Sequence, residues 1–117
     1  MSRNIVITGA AGALGAAVVE KFKREGYYVI ALVRPEANEQ AKEADVTYDV
    51  DVTDEQAVSD FVKEYEVQFG DLEAIAMLVG GFTPGNLEST SQQDLTRMMQ
   101  LNFFSAFTVA SSFLPLL

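Results

Sequence analysis

Six residues, Arg3 to Thr8, with the β-branched Ile5, Val6 and Ile7 at their centre, run straight into three glycines at intervals of three, Gly9, Gly12 and Gly15. The apolar run predicts a short buried strand. Beyond the glycines the period changes. Leu14, Ala17, Val18 and Phe22 recur at helical spacing, which predicts one buried helix face, while Glu20, Lys21, Lys23 and Arg24 turn to water. Gly26 is a natural stop for that helix. A strand, a glycine turn and a helix in this order open a parallel sheet, because the helix carries the chain back to start the next strand beside the first.

The alternation continues. Tyr27 to Val33 predicts a second strand, Pro35 can open a short helix over residues 36–43, and residues 45–50 predict a third strand. Thr53 with Gln56 three positions on reads as a capping box. Behind it, Ala57, Val58, Phe61, Val62, Tyr65 and Phe69 share one face of a helix that Gly70 closes. Residues 73–79 predict a fourth strand and residues 80–90 a loop. Ser91 and Asp94 form a second capping box, opening a long helix towards Leu117. Apolar residues from Leu95 to Leu114 cover nearly the whole circumference of that helix, so it needs cover on two sides. The sum is one α/β domain over residues 1–117. Its expected core is a three-layer, doubly wound parallel sheet of the Rossmann type, with about four strands in the order 3-2-1-4 and incomplete beyond the fourth.

Composition narrows the chemistry. The 117 residues carry 17 acidic against 8 basic side chains, a net charge of −9, and neither His nor Cys. Such a surface repels phosphate backbones and anionic lipid, which argues against nucleic-acid or membrane partners. No apolar stretch reaches the length of a membrane span and no export signal precedes the first strand, so a cytoplasmic location is expected. Without Cys or His, thiolate nucleophiles, cysteine zinc sites and the commonest general base are excluded. Asp45, Asp49, Asp51 and Asp54 are accounted for by strand alternation and capping, so no metal site is expected.

The glycines have distinct physical uses. Gly9 permits a tight turn, Gly12 lets a pyrophosphate approach the backbone with no Cβ in the way, and Gly15 lets the helix pack closely. The first helical amides, including those of Ala13 and Leu14, supply donors and a partial positive charge. The alternative is a glycine-rich turn without a ligand. With these residues the whole chain resembles the short-chain dehydrogenase/reductase family, whose cofactor turn also opens with Thr-Gly. The G-x-x-G-x-x-G spacing is similar to the extended and atypical branches rather than to the G-x-x-x-G-x-G of the commonest members.

The resemblance implies roles for further residues. Asp51 would accept a hydrogen bond from an adenine amino group and Val52 would pack on the ring, with ordinary helix-start residues as the alternative. The acid that would bind a ribose 2′-hydroxyl is replaced by Val33, and Arg34 beside it can pair bidentately with a 2′-phosphate. NADP(H) is therefore favoured over NAD(H); a solvated surface arginine is the alternative. Val79, Gly80, Gly81 and Phe82 stand where the family usually has N-N-A-G. They look like the dihydropteridine reductase-like branch, with open backbone beside the cofactor and Phe82 either walling the nicotinamide or merely a loop residue. Asn102 matches a tetrad Asn that holds a helix kink and a water on the proton relay; helix–helix hydrogen bonding is the alternative.

The chemistry implied is hydride transfer between a nicotinamide cofactor and a small carbonyl-type substrate, with a Tyr-x-x-x-Lys pair delivering the proton. The four tyrosines, Tyr27, Tyr28, Tyr48 and Tyr65, all precede the fourth strand and none has a Lys four positions on. The expectation is thus the dinucleotide-binding part of an oxidoreductase, inactive alone and ending before the catalytic pair. A non-catalytic NADP-binding sensor is the alternative. An open fourth strand and a half-bare helix predict a homo-oligomer that buries residues 103–117.

Overall fold

The computed structural model describes residues 3–35 and 41–117. The elements are β1 (Arg3–Thr8), α1 (Ala13–Arg24), β2 (Tyr27–Val33), β3 (Val46–Asp49), α2 (Glu55–Phe69), β4 (Ala74–Met77), α3 (Gln92–Met99) and α4 (Ser105–Phe113). A π-helical turn, Gln100–Phe104, joins α3 to α4, and a 3-10 turn, Leu114–Leu116, follows α4. The four strands are parallel, in the order β3-β2-β1-β4. The expected α/β sheet and strand order are therefore present.

Side-chain alternation divides the core into two layers. Ile5 and Ile7 of β1 and Val29, Ala31 and Val33 of β2 face Val19 of α1. Val6, Ile30 and Leu32 face Val58, Phe61 and Tyr65 of α2 and Val109 and Phe113 of α4. With both faces covered, β1 from Ile5 to Ile7 and the whole of β2 can be apolar without a break, which is why these runs do not alternate with polar residues. β3 and β4 are shorter than expected, at four residues each. β4 pairs with β1 alone among the described residues, so its far edge is unpaired.

Three local expectations are corrected. Leu14 is 65% exposed and Ala17 is exposed; the buried line of α1 is Gly15 and Val19, flanked by half-buried Val18 and Phe22. Gly15 has no side chain, so the helix rolls that position against the preceding turn and Leu14 outward. Residues 41–43 are not helical, while 36–40 of the expected short helix lie outside the described residues. Asp54, not Thr53, caps α2, accepting from the amides of Gln56 at 3.0 Å and Ala57 at 3.2 Å. Thr53 is already engaged, its amide and hydroxyl both donating to Asp51 Oδ1 at 2.9 and 2.6 Å.

The second capping box forms as expected. The Asp94 amide donates to Ser91 Oγ at 3.1 Å and the Ser91 amide to Asp94 Oδ2 at 2.9 Å. These bonds from Ser91 hold the Asp94 carboxyl below its ordinary value of 3.8. A depressed carboxylate contributes stability that is present above the unfolded value, about pH 4, and lost as pH falls through the lower folded one. Asp94 followed by carboxyl NMR should therefore titrate below a free aspartate, and Ser91→Ala should raise it only part of the way back, because the amide of residue 91 still donates to Oδ2.

Candidate functional site

The chain leaves β1 for β2 and β3 on one side, while β4 lies on the other. The crevice beyond the carboxyl ends of β1 and β4 is therefore the topological switch point, the place where open α/β sheets bind ligands. The two strand ends are clamped there by Thr8, which is buried: the Leu78 amide donates to Thr8 O at 3.3 Å and to Thr8 Oγ1 at 3.2 Å.

The three glycines do different work. Gly9 turns with φ +65, and a Cβ on it would come within 2.9 Å of Leu78 C and 3.0 Å of Val79 N. No other residue fits there without backbone strain. On Gly15, a Cβ would lie 2.3 Å from Gly9 O and 2.6 Å from both Ala10 C and Ala10 O, so its lack of a side chain closes the turn on itself. Gly12 is open. The nearest atom to a Cβ there is Gly9 O at 3.8 Å, and the residue is exposed.

Gly12 is also the N-cap of α1, with no side-chain cap among the described residues and no acid in the first turn. The first ladder bond is from the Ala16 amide to Gly12 O at 2.8 Å. The amides of Ala13, Leu14 and Gly15 precede it, at the electropositive end of a 12-residue helix. α2 and α3 fill the same positions with Asp54 and with Ser91 and Asp94. The contrast marks the head of α1 as the one of these three that keeps its donors for something else.

Arg34 stands exposed just past β2, while Val33 is buried in the sheet opposite Asp49. Asp51 is half-buried and its Oδ1 serves Thr53, which leaves Oδ2 for another donor. Val52 is only 6% exposed and packs in the cluster of Val58, Val109 and Phe113. What it can offer a ligand is mainly backbone.

Gly80 and Gly81, both exposed, are held by the helix that follows. The Gly81 amide donates to Asn102 Oδ1 at 3.1 Å, and Asn102 Nδ2 donates to Gly81 O at 2.9 Å and to Met98 O at 3.0 Å. Asn102 is exposed and binds this loop, not a neighbouring helix. A Cβ on Gly80 would meet Asn102 Oδ1 at 2.8 Å, and one on Gly81 would meet Leu101 Cδ1 at 2.9 Å. The helix is distorted at this point, where the π turn contains both Leu101 and Asn102. Phe82 is 86% exposed. Tyr65 is remote from this crevice, its hydroxyl donating to Asp71 O at 3.0 Å beside the start of β4, and burial pushes its phenol up.

Sequence reasoning missed Thr8 as a clamp and Ser105 as the residue that closes the π turn. Both are buried polar residues. A hydroxyl at the end of the apolar run Ile5 to Ile7 was the available signal for Thr8; nothing in a helical repeat announces a π turn.

A short chain dehydrogenase family profile matches residues 3–117. L-fucose dehydrogenase of Mus musculus is 30% identical over 116 residues, spanning 95% of this chain and 42% of that protein. Dihydropteridine reductase of Dictyostelium discoideum is 28% identical over 112 residues, spanning 94% of this chain and 46% of that protein. Among solved structures, ligand-free aldohexose dehydrogenase of Thermoplasma acidophilum superposes with a TM-score of 0.87 at 24% identity, covering 98% of this chain and 44% of that one. The chain thus spans less than half the length of these relatives. Profile, relatives and fold agree, and the chain belongs to the short-chain dehydrogenase family.

Proposed function

We propose that this chain is the dinucleotide-binding part of an NAD(P)-dependent oxidoreductase whose intact form transfers hydride between NADPH and a small carbonyl-type substrate. The observation that carries the reading is the open head of α1: amides with no partner and no capping side chain among the described residues, and space at Gly12 where a Cβ would stand. A diphosphate fits that chemistry, since the N–H groups and the helix dipole both favour an anion and nothing side-chain-like blocks it. The net charge of −9 would otherwise repel such a ligand, so the attraction must be local.

The other residues take roles around it. Gly9, Gly12, Ala13, Leu14 and Gly15 form the diphosphate cradle. Asp51 Oδ2 accepts from the adenine amino group, and Val52 borders the ring through its backbone and the small part of its side chain left outside. Val79, Gly80 and Gly81 give the nicotinamide end close access to backbone, with Phe82 as an apolar wall. A bound nicotinamide supplies the hydride. Asn102 fixes the Gly81 peptide and keeps the loop beside the reacting ring in one conformation.

Arg34 sets the choice of nucleotide. With Val33 in place of an acid, a 2′-phosphate meets no repulsion and can take a bidentate contact from the guanidinium. Titration of NADPH and NADH by nicotinamide fluorescence should favour NADPH. Arg34→Ala should cost roughly 1–3 kcal/mol with NADPH and little with NADH, the range for a charged hydrogen-bond partner. Equal losses with both would reject the role.

The outer face of the last helix favours self-association. Phe103, Phe104, Phe107 and Leu114 are exposed, while Ser105, Val109 and Phe113 face the core. A homo-oligomer that covers the exposed set is proposed, and multi-angle light scattering should give a mass above the 12.8 kDa of one chain.

A further inference from the structure

We propose that Ser105 is a positioning residue that holds the Gly80–Gly81 loop through the π turn and Asn102. The wiring is visible in one pair of bonds. The Ser105 amide donates to Gln100 O, five residues back, instead of to Leu101 O, the partner it would have in a regular α-helix. Leu101 O is not left empty: Ser105 Oγ donates to it at 2.7 Å. The side chain of Ser105 thus stands in for its own amide. Ser105 is 3% exposed, so water cannot readily replace the hydroxyl. A buried carbonyl without a partner is costly, and the hydroxyl removes that cost from the π turn.

The wide turn sets the phase between α3 and α4. One extra residue in a turn rotates everything beyond it by about 100° relative to a regular helix. With that offset, Val109 and Phe113 face the sheet while Leu101 and Asn102 face the loop. Both loop contacts are close: Leu101 Cδ1 and Asn102 Oδ1 occupy the space that Cβ atoms on Gly81 and Gly80 would need. If the turn relaxes to α geometry, one half of the helix must rotate. Val109 and Phe113 are wholly buried, whereas the Asn102 bonds are exposed. Burial wins that competition. The α3 half rotates, and Asn102 leaves Gly81.

The value of this to cofactor binding rests on the dinucleotide reading above; the wiring itself does not. The test therefore reads the loop without cofactor. In the 117-residue chain, the Gly81 amide is followed by ¹⁵N shift and hydrogen exchange in Ser105→Ala, Asn102→Ala and the double variant, with β1 amides reporting the fold. Each single variant should speed Gly81 exchange at least tenfold, and the double variant should be no faster than either single one, because both break the same path. Ser105→Cys, close in size with a far weaker donor, gives the same readout if Ser105→Ala loses β1 protection. Native Gly81 exchange in the Ser105 variants, alongside fast exchange in Asn102→Ala, would overturn the proposal, as would effects that multiply in the double variant. Failure of the unaltered chain to bind NADPH would refute the earlier reading and leave this result standing.

Discussion

Gly15→Ala is expected to destabilise the chain by about 3 kcal/mol or more, although alanine is the better helix former by roughly 1 kcal/mol. The reason is where the new methyl would go. It would lie 2.3 Å from Gly9 O and 2.6 Å from Ala10 C and Ala10 O, and all three are backbone atoms. A flexible side chain could swing aside; a turn held by Gly9 at φ +65 and wedged against Leu78 and Val79 cannot. Relief would have to come from lifting α1 off the sheet, which exposes Val19 and its neighbours Ile5 and Ile7. Overpacking therefore outweighs propensity. Gly12→Ala is the control. Its methyl meets nothing nearer than 3.8 Å, so the expected cost is below about 1 kcal/mol, the difference between glycine and alanine at an N-cap. Urea denaturation of the two variants should separate them clearly. Equal stabilities would mean that the turn is looser than its geometry.

Phe113→Ala carries the other large effect, about 3–5 kcal/mol. Phe113 is fully buried, its ring 6.1 Å from that of Phe61 and 6.0 Å from that of Tyr65, the latter edge-on. It joins α4 to α2 and to the sheet through one cluster. The cavity left by truncation is bounded by rings on rigid elements, which limits collapse into it. A chain of this size holds roughly 6–18 kcal/mol in total, so the loss is a sizeable fraction. With a urea slope of about 1–3 kcal/mol per molar, the midpoint should fall by at least about 1 M. Phe107→Ala, on the exposed side of the same helix, should change monomer stability little. A similar fall in both would place the core contact elsewhere.

The sheet was legible because its signals are local and redundant. β1 carries a short apolar run that ends at Thr8 and Gly9, β2 one that begins after Gly26, and runs buried on both faces could be little else. The helix α2 announced its buried face through Val58, Phe61 and Tyr65 at regular spacing, and Ser91 with Asp94 announced the head of α3. What escaped notice depends on contacts distant in sequence or on competition between neighbours. Thr53 has the side chain of a cap, but Asp51 holds its hydroxyl and Asp54 offers a carboxylate one residue later. Leu14 has the spacing of a core residue, yet the close approach at Gly15 rolls it outward. The π turn exists because Ser105 and Asn102 supply hydrogen bonds to carbonyls four residues back, Leu101 O and Met98 O, and no hydrophobic repeat records that. Of the candidate site, the glycine turn could be named from its residues and Asn102 from the resemblance to the family. The bond between Asn102 and Gly81 could not, because it crosses 21 residues of chain.

The reading of the site stands on the empty donor positions at the head of α1. They can be watched one by one as amide resonances while NADPH is added to the chain. The predicted result is that the largest shift changes fall on Ala13, Leu14 and Gly15, and that they vanish in a folded Gly12→Ala chain. Binding of NADPH with these three amides unmoved, or equal binding after Gly12→Ala, would contradict the account.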